Sequence, residues 1–171
     1  FCAATETGRD IIDLLFREKI DLPEHPLEQF MEPTDLPRTS PPGEEHTSIG
    51  VYVDDYVLAL VENDDRTLIH CLSRSTLHAI HSIFPPPEIS GHKGGKDPVS
   101  LKKLEKGDAR FDIEKEILGF LINGADRTIR LSDIKAEAIA AEIAKMLKKT
   151  HVPLKRFQSV VSKLQHAARI L

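Results

Sequence analysis

Residues 48–62 read SIGVYVDDYVLALVE, from Ser48 to Glu62. Val51, Val53, Val57 and Val61 are β-branched, and Tyr52 and Tyr56 flank an acidic pair, Asp54-Asp55. Such residues fit a pleated, half-buried surface, so residues 48–61 read as a β-hairpin. Adjacent carboxylates repel, and burial strengthens the repulsion. A solvated turn is one answer, because Asp favours turns and tolerates unusual backbone angles. The flanks GVYV and YVLALV are too apolar for a loose surface hairpin, which opens a second answer: the pair is held rigidly to bind something positive. Hard divalent ions such as Mg2+ take carboxylate oxygens and bridge to substrate phosphates. Two of them about 4 Å apart activate an attacking hydroxyl and stabilise a leaving phosphate oxygen.

Working outward from the hairpin, residues 3–20 read as a helix with Ile11, Ile12, Leu14, Leu15 and Phe16 on its apolar side. Residues 21–47 hold six prolines among acids, Ser and Thr, and read as an exposed insertion without regular structure. Residues 65–83 read as an amphipathic helix with Leu68, Leu72, Leu77, Ile80 and Ile83 at helical spacing, with Asp64 or Asp65 as its cap. Phe84 before Pro85-Pro86-Pro87 ends it. Residues 85–110 are rich in Gly, Pro and Lys and read as a flexible loop. EILGFLIN and TIRL then read as strands, with Asn123-Gly124 signalling a tight hairpin. Two helices follow, Asp133–Lys149 and Pro153–Leu171. Helix, hairpin, helix, hairpin and two helices make an α+β pattern.

The composition narrows the function classes. The 171 residues lack Trp, so the core is expected to be aliphatic. No apolar run reaches the roughly 18 residues of a membrane span, and no signal-peptide pattern is present. Cys2 and Cys71 lack metal-ligand spacing and read as reduced thiols of an intracellular protein. The histidines His70, His78, His81, His92, His151 and His166 show no metal-ligand spacing either and read as surface or helix-face residues. GHKGGK lacks the Ser/Thr and the preceding strand of a phosphate loop. Residues 1–66 hold 16 Asp/Glu against 5 Lys/Arg, and residues 67–171 hold 11 against 18. From Lys145 to Leu171 there are 7 Lys/Arg and no acid. That asymmetry fits a polyanion-binding surface beside a metal-binding one, or a solvated helix face.

Tyr52-Val53-Asp54-Asp55 in its strand–turn–strand setting resembles the Y-x-D-D motif of reverse transcriptases. Other segments follow in that family's order. FCAATET resembles the helix after the template-positioning motif of the palm, and EKEILGFLIN resembles the hairpin that positions the primer terminus. VPLKRFQSVVSKLQHAARIL resembles the thumb helix of retroviral and LTR-retrotransposon enzymes, with Lys163-Leu164-Gln165-His166-Ala167 matching a K-L-(N/Q)-x-A pattern. The resemblance covers residues 1–20 and 48–171. It implies a partial palm over 1–131, with a Pro-rich insertion at 21–47 and a flexible loop at 85–110, and thumb-like helices over 132–171.

By that resemblance Asp54 and Asp55 are the catalytic, metal-holding carboxylates, with Mg2+ (or Mn2+) as cofactor. Tyr52 lies beside the nascent base pair or the primer, and Val53 faces the minor groove of the nucleic acid. Leu118, Gly119 and Phe120 grip the primer end. A lysine before that hairpin, Lys102, Lys103 or Lys106, protonates the pyrophosphate leaving group. Lys155, Arg156 and Lys163, with Lys145, Lys148, Lys149 and Arg169, contact duplex phosphates without reading sequence. The partners implied are a template–primer duplex and deoxynucleoside triphosphates, in the cytoplasm, nucleus or a virus-like particle. The family's third aspartate and its fingers are expected upstream of Phe1, so a piece of a longer enzyme, inactive alone, is expected. Two other readings stay open: a non-catalytic nucleic-acid-binding remnant, and a small interaction domain in which Asp54-Asp55 is only a turn.

Overall fold

In the computed structural model of the chain, the sequence's two periodicities resolve into helices and two small antiparallel sheets. The structure describes residues 2–33, 47–52, 55–61, 66–87 and 97–168. Val53, Asp54, Asp64, Asp65, His92 and Arg169 lie outside the described residues, as do 34–46 and most of the ISGHKGGKDP stretch. The described elements are α1 (Cys2–Arg17), β1 (Thr47–Tyr52), β2 (Asp55–Leu60), α2 (Thr67–Ile83) and α3 (Leu101–Leu104), then β3 (Glu114–Ile117), β4 (Phe120–Asn123), β5 (Thr128–Leu131), α4 (Asp133–Leu147) and α5 (Leu154–Ala167). The fold is mixed α+β, and it divides into two compact units, Phe1–Asp112 and Ile113–Leu171. Among the described residues no helix is long and apolar enough to cross a membrane.

In the first unit α1 and α2 pack together under the β1–β2 hairpin. Thr5, Gly8 and Ile12 lie three and four residues apart, so they share one buried face of α1. Ile12, Leu72 and Ala79 are fully buried, and Ile11, Leu15, Phe16, Ile49, Tyr56, Leu58, Leu60 and Phe111 pack around them. The fully buried centre is aliphatic, and Phe16, Tyr56 and Phe111 pack against it as partly buried aromatics. Helix α1 stops at Arg17 rather than at Ile20. Lys19 turns left-handed (φ 47°), its N–H donates to Phe16 O at 3.2 Å, and the Ile20 N–H donates to Leu15 O at 3.2 Å. These are the two bonds of a Schellman cap, which satisfies carbonyls the helix leaves open. At the other helix, Phe84 accepts no further turn because Pro85 follows it.

Two stretches read as irregular contain ordered pieces. Residues 21–33 form a strap over α2, with a 3-10 turn at Glu28–Phe30 and Met31 buried. A tertiary ion pair, not periodicity, organises it: buried Glu28 accepts from Arg74 Nε at 2.8 and 3.0 Å. Within 97–110, α3 is pinned by buried Leu104.

The second unit is a three-stranded meander, β3-β4-β5, followed by α4 and α5. The tight turn falls one strand earlier than Asn123-Gly124 suggests. Ile117 pairs with Phe120, so Leu118-Gly119 is a two-residue turn with φ 53° and 88°. Positive φ at both central residues is the type I′ requirement. At Asn123 the loop has four residues, 124–127, because the Asn123 side chain accepts from the Asp126 N–H at 2.9 Å and Arg127 takes the left-handed position (φ 53°). Among the described residues Val160 is the buried apolar side chain of this unit, whereas Ile134 and Leu147 remain mostly exposed.

Candidate active site

The β1–β2 register places the motif. Ile49 pairs with Leu58, Val51 with Tyr56, and Tyr52 with Asp55. Cross-strand partners share a face and neighbours alternate. Ile49, Tyr56 and Leu58 therefore face the helical core, and Tyr52 and Asp55 share the outer face at the end of the hairpin. Both are exposed. Val53 and Asp54, between them in sequence, lie outside the described residues. The hairpin end is anchored from below. Tyr56 Oη donates to the Thr5 carbonyl at 3.1 Å, and burial pushes the phenol's pKa up, keeping it a donor. A Cβ at Gly8 would overlap the Tyr56 hydroxyl, so the glycine inside α1 is there to admit the ring.

Of Lys102, Lys103 and Lys106, the structure brings Lys103 to the acidic hairpin: Nζ stands 3.8 Å from Asp55 Oδ1. Both side chains are exposed, so the pair adds little stability; surface ion pairs contribute about 0–1 kcal/mol. Its interest is positional. It brings a cation, Lys103 Nζ, beside the Asp55 carboxylate at the end of the hairpin. The Asp55 oxygens are hard donors of the kind Mg2+ takes. Among the described residues no group of three or more His, Cys, Asp or Glu could hold a metal ion, and Asp54 lies outside them.

In the second unit the predicted grip residues form the β3–β4 turn. Leu118 is exposed, and Phe120 is half-buried. His166, read from sequence as a surface residue, holds this turn to α5. Its ring stacks on Phe120 with centroids 4.7 Å apart, and Nε2 donates to the Leu118 carbonyl at 3.2 Å. Lys135 Nζ, near Gly119, pairs with Glu116 at 3.3 Å. Among the basic α5 residues, Lys163 donates to Glu142 at 2.6 Å, tying α5 to α4. That bond also holds the Glu142 carboxyl below its usual range. Lys155 and Arg156 lie in the first turn of α5, Lys155 exposed and Arg156 half-buried.

No protein-family model, curated protein or solved structure matches the chain.

The sequence did not mark His25, His166 or Lys103 individually. His25 sits in a Pro-rich stretch with no pattern to flag it, and the other two meet partners, Leu118 and Asp55, each 48 residues away in the chain.

Proposed function

We propose that this chain is a palm-and-thumb portion of a retrotransposon reverse transcriptase, an enzyme that copies an RNA or DNA template into DNA. One observation carries the reading: Tyr52 and Asp55, the outer residues of the Y-x-D-D motif, are the closing pair of an antiparallel hairpin. The order of the later elements supports it, with a second hairpin turning at Leu118-Gly119 and a basic C-terminal helix pair.

In this reading Asp54 and Asp55 hold Mg2+ (or Mn2+), which supplies activation of the primer hydroxyl and charge neutralisation at the transferring phosphate. Tyr52 bears on the primer-side base pair from the outer face of the hairpin. Lys103 is the lysine we assign to the leaving pyrophosphate, because its ammonium is the one beside Asp55. Leu118, Gly119 and Phe120 hold the primer end. Lys155 and Arg156 meet duplex phosphates, with Lys163 joining when it exchanges Glu142 for phosphate.

The test pairs metal binding with duplex binding. Mn2+ is expected to broaden the amide signals of Tyr52, Asp55 and Tyr56, and Asp54→Asn/Asp55→Asn to abolish the broadening. A template–primer duplex is expected to bind with a steep salt dependence. Primer extension by the isolated chain is expected to be weak, since the motif supplies two carboxylates of the three such a centre uses. Robust extension would overturn the partial-centre reading. Duplex binding without a Mn2+ effect would instead identify a non-catalytic nucleic-acid-binding remnant. Absence of both would leave a small interaction domain with an acidic turn.

A further inference from the structure

The two ends of a line of hydrogen bonds in the first unit fix every proton along it. At one end the Leu27 backbone N–H donates to His25 Nδ1 at 3.1 Å. A backbone N–H can only donate, so Nδ1 is bare. A neutral His25 then carries its proton on Nε2, 3.1 Å from His81 Nδ1. His81 Nδ1 must accept, which puts its proton on Nε2, 3.3 Å from Asp97 Oδ1. That carboxylate oxygen also accepts the Val99 N–H at 2.7 Å. All four bonds are made when both imidazoles are neutral. A further proton on His25 evicts Leu27, and a further proton on His81 opposes the Nε2–H of His25.

The line crosses between elements. His25 belongs to the strap of residues 21–33, and His81 to the last turn of α2. His78, one turn earlier, donates to the Pro23 carbonyl at 2.9 Å and meets the His25 ring edge-on, with centroids 5.3 Å apart. The remaining charged groups around His25 are Glu28, whose Oε2 accepts the His25 N–H at 3.4 Å, and Asp97; Arg74 donates to the same Oε2 at 2.8 Å, and His70 engages Oε1 at 3.1 Å.

We propose that His25, His81 and Asp97 form an acid-released latch, which fastens the strap to α2 while both rings are neutral and frees it when a proton enters the line. Burial, and then the neighbouring His81 and His78, hold the His25 pKa below its ordinary value, against Asp97 and Glu28. A depressed histidine binds fewer protons in the latched state than in the released one. The stabilisation is therefore complete above the free value of about 6.5 and is lost as pH falls below it toward the latched value. The latch does not depend on the nucleotidyl-transfer reading.

Histidine tautomer spectra (long-range 15N–1H) and amide hydrogen exchange on the intact chain test it. At pH about 8, well above the free histidine value, His25 and His81 are both expected as Nε2–H tautomers. On acidification to about pH 5.5, exchange protection at the Leu27, Glu28 and Met31 amides, corrected for intrinsic rate, falls about tenfold. Protection at Leu72 and Leu77 stays unchanged. His25→Gln and His81→Gln remove the pH response, whereas His70→Gln and His78→Gln retain it. An Nδ1–H tautomer at either ring in the wild type overturns the latch. So does a strap without a pH response, or a response that survives both His25→Gln and His81→Gln.

Discussion

Arg74 Nε lies 2.8 Å from Oε2 and 3.0 Å from Oε1 of Glu28, a buried carboxylate reached across 46 residues of sequence. Burial alone would raise the Glu28 pKa, but hydrogen bonds from Arg74, the His25 backbone and His70 outweigh it and hold the carboxyl below its usual range. Removing one partner of a buried pair leaves the other uncompensated, so Arg74→Ala is expected to cost about 3 kcal/mol in urea unfolding. The pH dependence has a definite sign. A depressed carboxylate stabilises above its unfolded pKa of about 4.3, and that stability is lost as pH falls through the lower folded value. Glu28→Gln should be less stable at neutral pH and should show a flatter acid limb than the wild type.

Gly8→Ala reverses an intrinsic preference. In an exposed helix interior the change would stabilise by about 1 kcal/mol. Here the new Cβ overlaps the Tyr56 hydroxyl, so overpacking is expected to cost about 1–3 kcal/mol instead. Tyr56→Phe removes the obstructing atom along with its bond to Thr5. The double variant should therefore be more stable than the sum of the two single losses, as a thermal-unfolding double-mutant cycle would show.

Leu118 occupies a left-handed position that costs a non-glycine residue roughly 1–2 kcal/mol. Asn before Gly suits the type I′ turn far better, so Leu118→Asn is expected to raise the stability of the second unit by about 0.5–1 kcal/mol. If Leu118 grips a primer, the same variant should bind template–primer duplex more weakly. Improved folding with reduced binding would separate the two roles; unchanged binding would remove Leu118 from the proposed interface.

Lys103→Gln should leave the unfolding midpoint nearly unchanged, since the exposed pair with Asp55 contributes about 0–1 kcal/mol. Mn2+ affinity at the hairpin should rise modestly, because a competing cation near Asp55 is gone. A weaker Mn2+ response in Lys103→Gln would mean that the lysine orients the carboxylate rather than competing for it.

The hairpin around Asp55 is legible in the sequence because β-branched and aromatic residues recur on both sides of a polar pair. Helix α2 is legible because Leu68, Leu72 and Leu77 keep helical spacing and Pro85 closes it. The strap is not. Glu28 reads as one more acid in a Pro-rich run, and its burial follows from Arg74 and His70, which sequence spacing cannot pair with it. The Asn123-Gly124 signal misleads for a local reason: the Asn side chain caps a longer loop, while Leu118-Gly119, with an unfavoured residue in the first position, makes the tight turn. At the candidate site the motif residues stand out by type alone. Choosing Lys103 among three lysines requires knowing which way the α3 turn faces.

The division at Asp112–Ile113 has an electrophoretic corollary. Residues 1–112 carry 21 Asp/Glu against 12 Lys/Arg, and residues 113–171 carry 6 against 11. Cleaved between the units at neutral pH, the chain would yield one fragment migrating to the anode and one to the cathode. The acidic hairpin would leave with the anodic fragment and the basic helix pair with the cathodic one.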